Sequence, residues 1–345
     1  MPDLQNLPWP LIAALFAGAA AIVWWAGMRL PAYAAAIEAR TGMGQAFAGM
    51  VVLGGITTLP ELATAGSAAA IGSGKLAVNN AFGSVAFNLV LLAVGDAVSG
   101  RRALTSIIAR PATLMQGVLG MVLLAVAAAA AASTDTPFLG AGLWTWSLFA
   151  ATMAALWIAS RYERQPAWNV TEQPPPVEPS GILELEFGLP ILLLRTGGLA
   201  MLILIGGITL ASSGDEISIR SGIDAGLVGF MLIALATSLP ELSTVVGSVK
   251  RGHYELAFGD IFGANLFNIA LLLVVDLLQP GPPVMIQMDS FEVVAALLGV
   301  VLTGFYVIGL LERRDRSLWR MGYDAIAVIA AYILGAIYLV TLASE

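Results

Sequence analysis

Four stretches of this chain, residues 9–28, 112–132, 291–311 and 324–342, each run for about 20 residues with at most one charged side chain. A helix needs roughly 20 apolar residues to cross the hydrocarbon core of a bilayer, and an ordinary soluble core does not call for several such runs. Composition agrees. Of 345 residues, 58% are hydrophobic and 11% charged, where a soluble domain carries about 25% charge. The net charge of −7 argues against nucleic acid as a partner. With no cysteine, disulfides, thiolate metal sites and thiol nucleophiles are excluded. The first apolar run follows Met1-Pro2-Asp3 with no basic stretch before it, so a retained span is expected rather than a cleaved signal peptide.

Hydropathy predicts ten spans, at about 9–28, 44–73, 76–99, 104–132, 138–160, 188–212, 225–249, 254–278, 288–312 and 321–342. The fold class expected is therefore an all-α integral membrane protein of about ten transmembrane helices. With the N-terminus outside, the inner loops hold Arg29, Arg40, Arg101, Arg102, Arg110, Arg161, Arg164, Lys250, Arg251, Arg313, Arg314, Arg316 and Arg320, most of the 16 basic residues. The outer loops hold Lys75 and Arg220, and Arg195 falls inside the sixth span, where it is expected to snorkel. This bias orients both termini outward by the positive-inside rule and fits a bacterial inner or plasma membrane. The proline-rich stretch 161–187 reads as an extended inner linker between a first five-helix unit, 1–160, and a second, 188–345. Tryptophans near span ends, Trp9, Trp24, Trp25, Trp144, Trp146, Trp157 and Trp319, read as an aromatic belt, and His253 as a solvated loop residue.

Shifted by 180 residues, the chain matches itself. Thr57-Thr58-Leu59-Pro60-Glu61-Leu62 aligns with Thr237-Ser238-Leu239-Pro240-Glu241-Leu242, and Phe82-Gly83 through Asn88 with Phe262-Gly263 through Asn268. Across 57–98 against 237–278, 17 of 42 positions are identical without a gap, among them Pro-Glu, Gly and Asn, which a shared apolar bias would not match. Five spans separate the copies, and an odd number makes the second cross the membrane in the opposite direction. Inverted-topology repeats of this kind build secondary transporters, whose sites lie at the repeat interface near the midplane.

Glu61 and Glu241 fall near the middle of their spans. A carboxylate there costs about 3 kcal/mol on insertion scales, and two anions converging on one dry site need protons or cations to neutralise them. No basic residue is predicted at that depth. The neighbours suit a hard cation. Pro60 and Pro240 each remove a backbone donor, which is expected to leave carbonyls free around Gly54–Thr57 and Ala234–Thr237 in broken helices. Thr57, Thr58, Thr237 and Ser238 add hydroxyls, and Asn88 and Asn268 add amide oxygens. Such mixed oxygen shells suit Ca2+, and with no sulfur among these candidate ligands and the one histidine in an inner loop, a soft metal is disfavoured. Gly83 and Gly263 are expected to let their helices approach the site closely. Asp260 stands two turns before Asn268 and could face the same pathway or end its helix in water. Asp96 and Asp276, near span ends, read as interfacial.

These two motifs resemble the alpha repeats of the cation/Ca2+ antiporter superfamily, and within it the sodium/calcium exchangers, with repeats at about 44–99 and 225–278. The resemblance implies that Glu61 and Glu241 are the Ca2+ carboxylates, shared with Na+. It implies that Thr57 and Thr237 lend backbone carbonyls, that Thr58, Ser238 and Ser84 lend hydroxyls to Na+, and that Asn88 and Asn268 line the centre. Departures stand at Ile56 and Ala236, where the family has glycine, at Ala264, which loses a hydroxyl, at Asp260, often asparagine there, and at Asn268, acidic in potassium-dependent members. The implied activity is exchange of Ca2+ for Na+ by alternating access, with those ions and the bilayer as partners, no cofactor and no protein partner. The rival readings are a proton/Ca2+ antiporter using the same glutamates, a cation channel, and an intramembrane protease with a carboxylate dyad.

Overall fold

The computed structural model describes residues 7–100, 102–108, 110–164, 186–221, 237–314, 317–318 and 321–344. The chain is a bundle of helices. In the first repeat these are α1 (Trp9–Thr41), α2 (Gln45–Thr57), α3 (Leu59–Ala70), α4 (Gly74–Ser99), the short α5 (Leu104–Ile107), α6 (Pro111–Ala131) and α7 (Leu143–Arg164). In the second they are α8 (Leu189–Ser221), α9 (Leu239–Lys250), α10 (Tyr254–Leu278), α11 (Ser290–Glu312) and α12 (Tyr323–Ser344). Among the described residues eight helices are long and apolar enough to cross a bilayer, nine when the bent pair α2–α3 counts as one span. The span expected at 225–249 is described from Thr237 onward, as α9.

The 180-residue offset governs the whole architecture. α1 and α8 match it at both ends, as do α3 and α9, and α7 and α12. Two short hairpins, β1–β2 (Pro137–Phe138 with Ala141–Gly142) and β3–β4 (Ser317–Leu318 with Met321–Gly322), obey it too. The first of them turns at Leu139 and Gly140, both with positive φ, as a two-residue hairpin loop demands. The centre of the bundle belongs to α10 and α4, where 78% and 67% of the most apolar stretch is buried, against 11% for α12.

Several expectations change. The first span does not stop at residue 28. α1 continues through Arg29 and Pro31 to Thr41, where Gly42 caps it in the left-handed conformation, so Arg29 is a helix residue and not a loop residue. The fourth predicted span, 104–132, breaks before Pro111, because Pro at the first turn starts a helix and biases the residue before it toward extended backbone. His253 is buried, 4% exposed, where it precedes α10. Arg195 lies over the ring of Phe187, 3.9 Å from its centroid.

The bend between α2 and α3 is 45°. Pro60, in the first turn of α3, removes the donor that would continue the ladder. Residues Gly49–Leu53 within α2 form a π turn. In it the backbone bonds run five residues apart, which brings Gly49 and Gly54 onto one face. That face meets Gly259 and Gly263 of α10. A Cβ on Gly54 would lie 2.7 Å from the Ala264 backbone nitrogen, and one on Gly263 would lie 2.6 Å from Met50 Cα. Glycine on both sides lets these two backbones touch.

Candidate functional site

Glu61 and Glu241 each lie in the first turn of a helix that begins at the bundle centre, α3 and α9. The positive ends of those helices face the carboxylates. Both side chains are sealed from solvent, at 1% and 0% exposure, and Glu241 lies within electrostatic reach of Glu61 and of Asp260. Ser84 and Asn268 stand beside the Glu61 carboxylate, and Thr57 beside that of Glu241. None closes a hydrogen bond of good geometry, so all four carboxylate oxygens are buried without a partner among the described residues. Both polar atoms of the Asn268 amide and the Asn88 oxygen share that condition. A buried polar atom without a partner costs about 1–3 kcal/mol, and more when charged. Six of the seven atoms, on four residues that the repeat brings together, are oxygens that could ligate a cation, and the seventh, Asn268 Nδ2, is a donor.

The remaining candidates are buried in the same region, namely Thr57, Thr58, Thr237, Ser238 and Ser84. The Gly54 carbonyl corrects an expectation. It is not free, because it accepts the Thr58 backbone N–H at 3.2 Å and the Thr58 hydroxyl at 2.8 Å. The hydroxyl that proline-proximal sequence provides folds back to satisfy the helix itself. Ala234 lies outside the described residues. Among the described residues no three carboxylate or imidazole groups gather around one point as metal ligands. A cation held here would take two carboxylates and neutral oxygens.

Asp260 neither ends its helix nor faces water. It is fully buried and accepts hydrogen bonds from Thr57 Oγ1 at 3.4 Å and from Thr244 Oγ1. Thr244 also donates to the Glu241 carbonyl at 3.0 Å. Asp260 thus joins the end of α2 to the first turns of α9. Asn265 was missed by sequence reading. It accepts from Asn88 Nδ2 at 3.2 Å and donates to the Val85 carbonyl at 3.3 Å, which fixes the Asn88 amide and leaves its oxygen toward the site. Its position one turn before Asn268 on a buried helix was the available signal. Thr244, one turn after Glu241 and matched by Thr64 in the first repeat, was another.

Asp96 and Asp276, expected to be interfacial, lie near the C-terminal ends of α4 and α10. Both are 3% exposed, and their carboxylates accept backbone N–H groups in buried turns.

The chain resembles known proteins throughout its length. It is 28% identical to Inner membrane protein YrbG of Escherichia coli over 305 residues, covering 81% of this chain and 89% of that protein. It is 28% identical to Putative antiporter CaxA of Alkalimonas amylolytica over 317 residues, covering 89% and 93%. Its fold matches that of the sodium-calcium exchanger NCX_Mj with a TM-score of 0.68 at 18% identity, over 95% of this chain and 98% of the other. The family model described as Sodium/calcium exchanger protein matches residues 11–165 and 191–343. The chain is therefore a multi-pass membrane protein of the sodium/calcium exchanger family, a family of cation antiporters and not of enzymes.

Proposed function

We propose that this chain exchanges Ca2+ for Na+ across the membrane, one ion type at a time, at the site between Glu61 and Glu241. The observation that carries the reading is the set of six partnerless buried oxygens on Glu61, Glu241, Asn88 and Asn268. Ca2+ takes 6–8 oxygens at about 2.3–2.6 Å, and two carboxylates with amide, hydroxyl and carbonyl oxygens make such a shell. Thr57 and Thr237 would contribute to the Ca2+ shell, and Thr58, Ser238 and Ser84 would serve Na+. With both glutamates ionised and both asparagines neutral, the site carries −2. One Ca2+ neutralises it, and the empty site is too costly to carry through the hydrocarbon. That cost enforces exchange. If three Na+ return per Ca2+, one net charge crosses, worth about 2.3 kcal/mol per 100 mV, so that an inside-negative potential drives Ca2+ outward.

The hydroxyl pairs favour Na+ over protons as the coupling ion, since protons need no such ligands. The distribution of basic residues supports termini that face outward. It also supports two units, 1–160 and 188–345, joined by an inner linker at 161–187.

Radiolabelled Ca2+ uptake into Na+-loaded proteoliposomes, diluted into Na+-free buffer with the proton gradient collapsed, tests the reading. Uptake that requires internal Na+ is expected. Uptake that ignores Na+ and follows an imposed pH gradient would make the chain a proton/Ca2+ antiporter. Undiminished transport by the Glu61→Gln/Glu241→Gln variant would refute the site.

A further inference from the structure

Between α1 and α8 the outer wall of the bundle holds an apolar groove of about 300 Å³. Gly18 and Ile22 line it from α1, and Leu202, Ile205 and Thr209 from α8. On α1, Gly18 and Ile22 continue along one exposed face through Trp25 to Arg29, at helical spacings of three and four residues. On α8, Thr209, Ile205 and Leu202 continue through Gly198 to Arg195 in the same manner. Each wall of the groove therefore ends on an arginine.

The two arginines lie at similar depth. Leu30 packs in one cluster with Leu199 and Ile203, and Ile37 in another with Leu192. That register puts Arg195 about 8 Å beyond Arg29 along the bundle axis, roughly one and a half helical turns and within reach of two long arginine side chains. A Cβ placed on Gly198 would meet nothing within 4 Å among the described residues, so the groove stays open toward Arg195. Arg29 follows Trp9 by about 30 Å of helix, the thickness of the hydrocarbon core, which places its guanidinium at headgroup level. Each guanidinium stacks on an aromatic ring, Trp25 or Phe187, at 3.9 Å. Neither joins an ion pair with a carboxylate among the described residues.

We propose that this groove binds an anionic phospholipid, with an acyl chain along the α1–α8 seam and the phosphate between Arg29 and Arg195. Two stacked guanidiniums without a carboxylate present a planar donor set that matches phosphate, and basic pockets between membrane helices select acidic headgroups. A zwitterionic lipid would bring its own cation to a place that already holds two. The groove is linked to the transport machinery through α8, which abuts the carboxylate-bearing turn. A Cβ on Gly207 would run into the ring of Pro60, the neighbour of Glu61.

Native mass spectrometry of the full chain released from mixed phosphatidylglycerol and phosphatidylcholine nanodiscs tests this. Retention of phosphatidylglycerol over phosphatidylcholine is expected. The Arg29→Gln/Arg195→Gln variant should hold phosphatidylglycerol about thirtyfold more weakly, roughly fivefold for each arginine. Arg29→Lys/Arg195→Lys, which keeps the charges and loses the planar stacked donors, should hold phosphatidylglycerol at an affinity between those of the native chain and the glutamine variant. Gly18→Leu/Gly198→Leu, which fills the groove and leaves the charges in place, should also lose the lipid, and this variant carries the test if the glutamine variant does not fold. Equal retention of the two lipids by the native chain would overturn the proposal. So would unchanged retention by both the glutamine and the leucine variants, or displacement of the lipid by millimolar inorganic phosphate, which would mean an anion site without a chain.

Discussion

Asp96 and Asp276, matched residues of the two repeats, each tie their own repeat to the other. Asp96 accepts the Leu104 N–H at 2.7 Å within the first repeat and the Gly322 N–H at 2.5 Å in the second. Asp276 accepts the Val284 N–H at 2.6 Å within the second and the Gly142 N–H at 2.7 Å in the first. Every donor on one side is the 180-residue counterpart of a donor on the other. Gly142 and Gly322 close the two hairpins, so each hairpin is anchored on the central helix of the opposite half. The two halves are interlocked at both ends of the bundle by the same device used twice.

Alanine at either position strands at least two buried N–H groups, each worth about 1–3 kcal/mol. Asp276→Ala also removes the shorter of the two bonds of the Thr145 hydroxyl, 2.7 Å to the carboxylate, and leaves it the Gly142 carbonyl at 3.0 Å. Each single variant should lose about 3 kcal/mol of unfolding free energy, measured by denaturation in micelles. The two sites lie at the C-terminal ends of antiparallel helices, so their losses should add within about 0.5 kcal/mol. A loss below that figure for either variant would show that the hairpins hold without the carboxylates.

This pair also shows what the sequence made legible. The 180-residue offset, the multi-span helical architecture and the Pro-Glu helix starts were readable because each is a pattern of residue type along the chain. The offset even paired Asp96 with Asp276. Their partners were not readable, because a backbone N–H carries no sequence signature and Gly322 lies 226 residues from Asp96. Asn265 escaped for a related reason. Its repeat partner is Val85, and it binds the Val85 carbonyl, a contact that the aligned residue types did not announce. His253 looked solvated because loops usually are.

The interlocked glycines predict a sharp contrast. Gly263→Ala would press a methyl group into the Met50 backbone, which cannot swing aside as a side chain would. The expected cost is about 1–3 kcal/mol, with a matching loss of transport, because α2 carries Thr57. Gly18→Ala meets nothing within 4 Å among the described residues and should gain from helix propensity by up to about 1 kcal/mol. Thermal unfolding of the two variants checks both signs. Equal effects would mean that α2 and α10 do not pack backbone to backbone.

His253, the chain's one histidine, supplies a pH dependence that can be isolated. Burial pushes its pKa down from 6.5, and the Arg251 charge adds to the effect. A depressed pKa means that the unfolded chain binds the proton more tightly than the native one. The stability is therefore full above about pH 6.5 and falls as the pH drops below it, by at most about 1.4 kcal/mol per unit for one proton. Unfolding midpoints measured from pH 8 to 5 should slope less in His253→Gln than in the native chain over that lower range. Identical slopes would assign the acid sensitivity to carboxylates instead.

Asp260 separates two ways of serving a cation. Its carboxylate is occupied by Thr57 and Thr244, and Thr57 stands beside Glu241. Acting through these hydroxyls, it would orient the Glu241 end of the site. Asp260→Asn should then weaken Ca2+ by roughly tenfold, about 1.4 kcal/mol. Glu241→Gln should abolish exchange. Because Thr244 and Asp260 share one hydrogen bond, Thr244→Val should add little on top of Asp260→Asn, a non-additivity of at least about 0.5 kcal/mol in a double-mutant cycle. The readout is Ca2+ binding to the purified chain by calorimetry, alongside transport. If Asp260→Asn were as damaging as Glu241→Gln, and additive with Thr244→Val, Asp260 would be a direct ligand, and the site would carry −3 where the charge count gives −2.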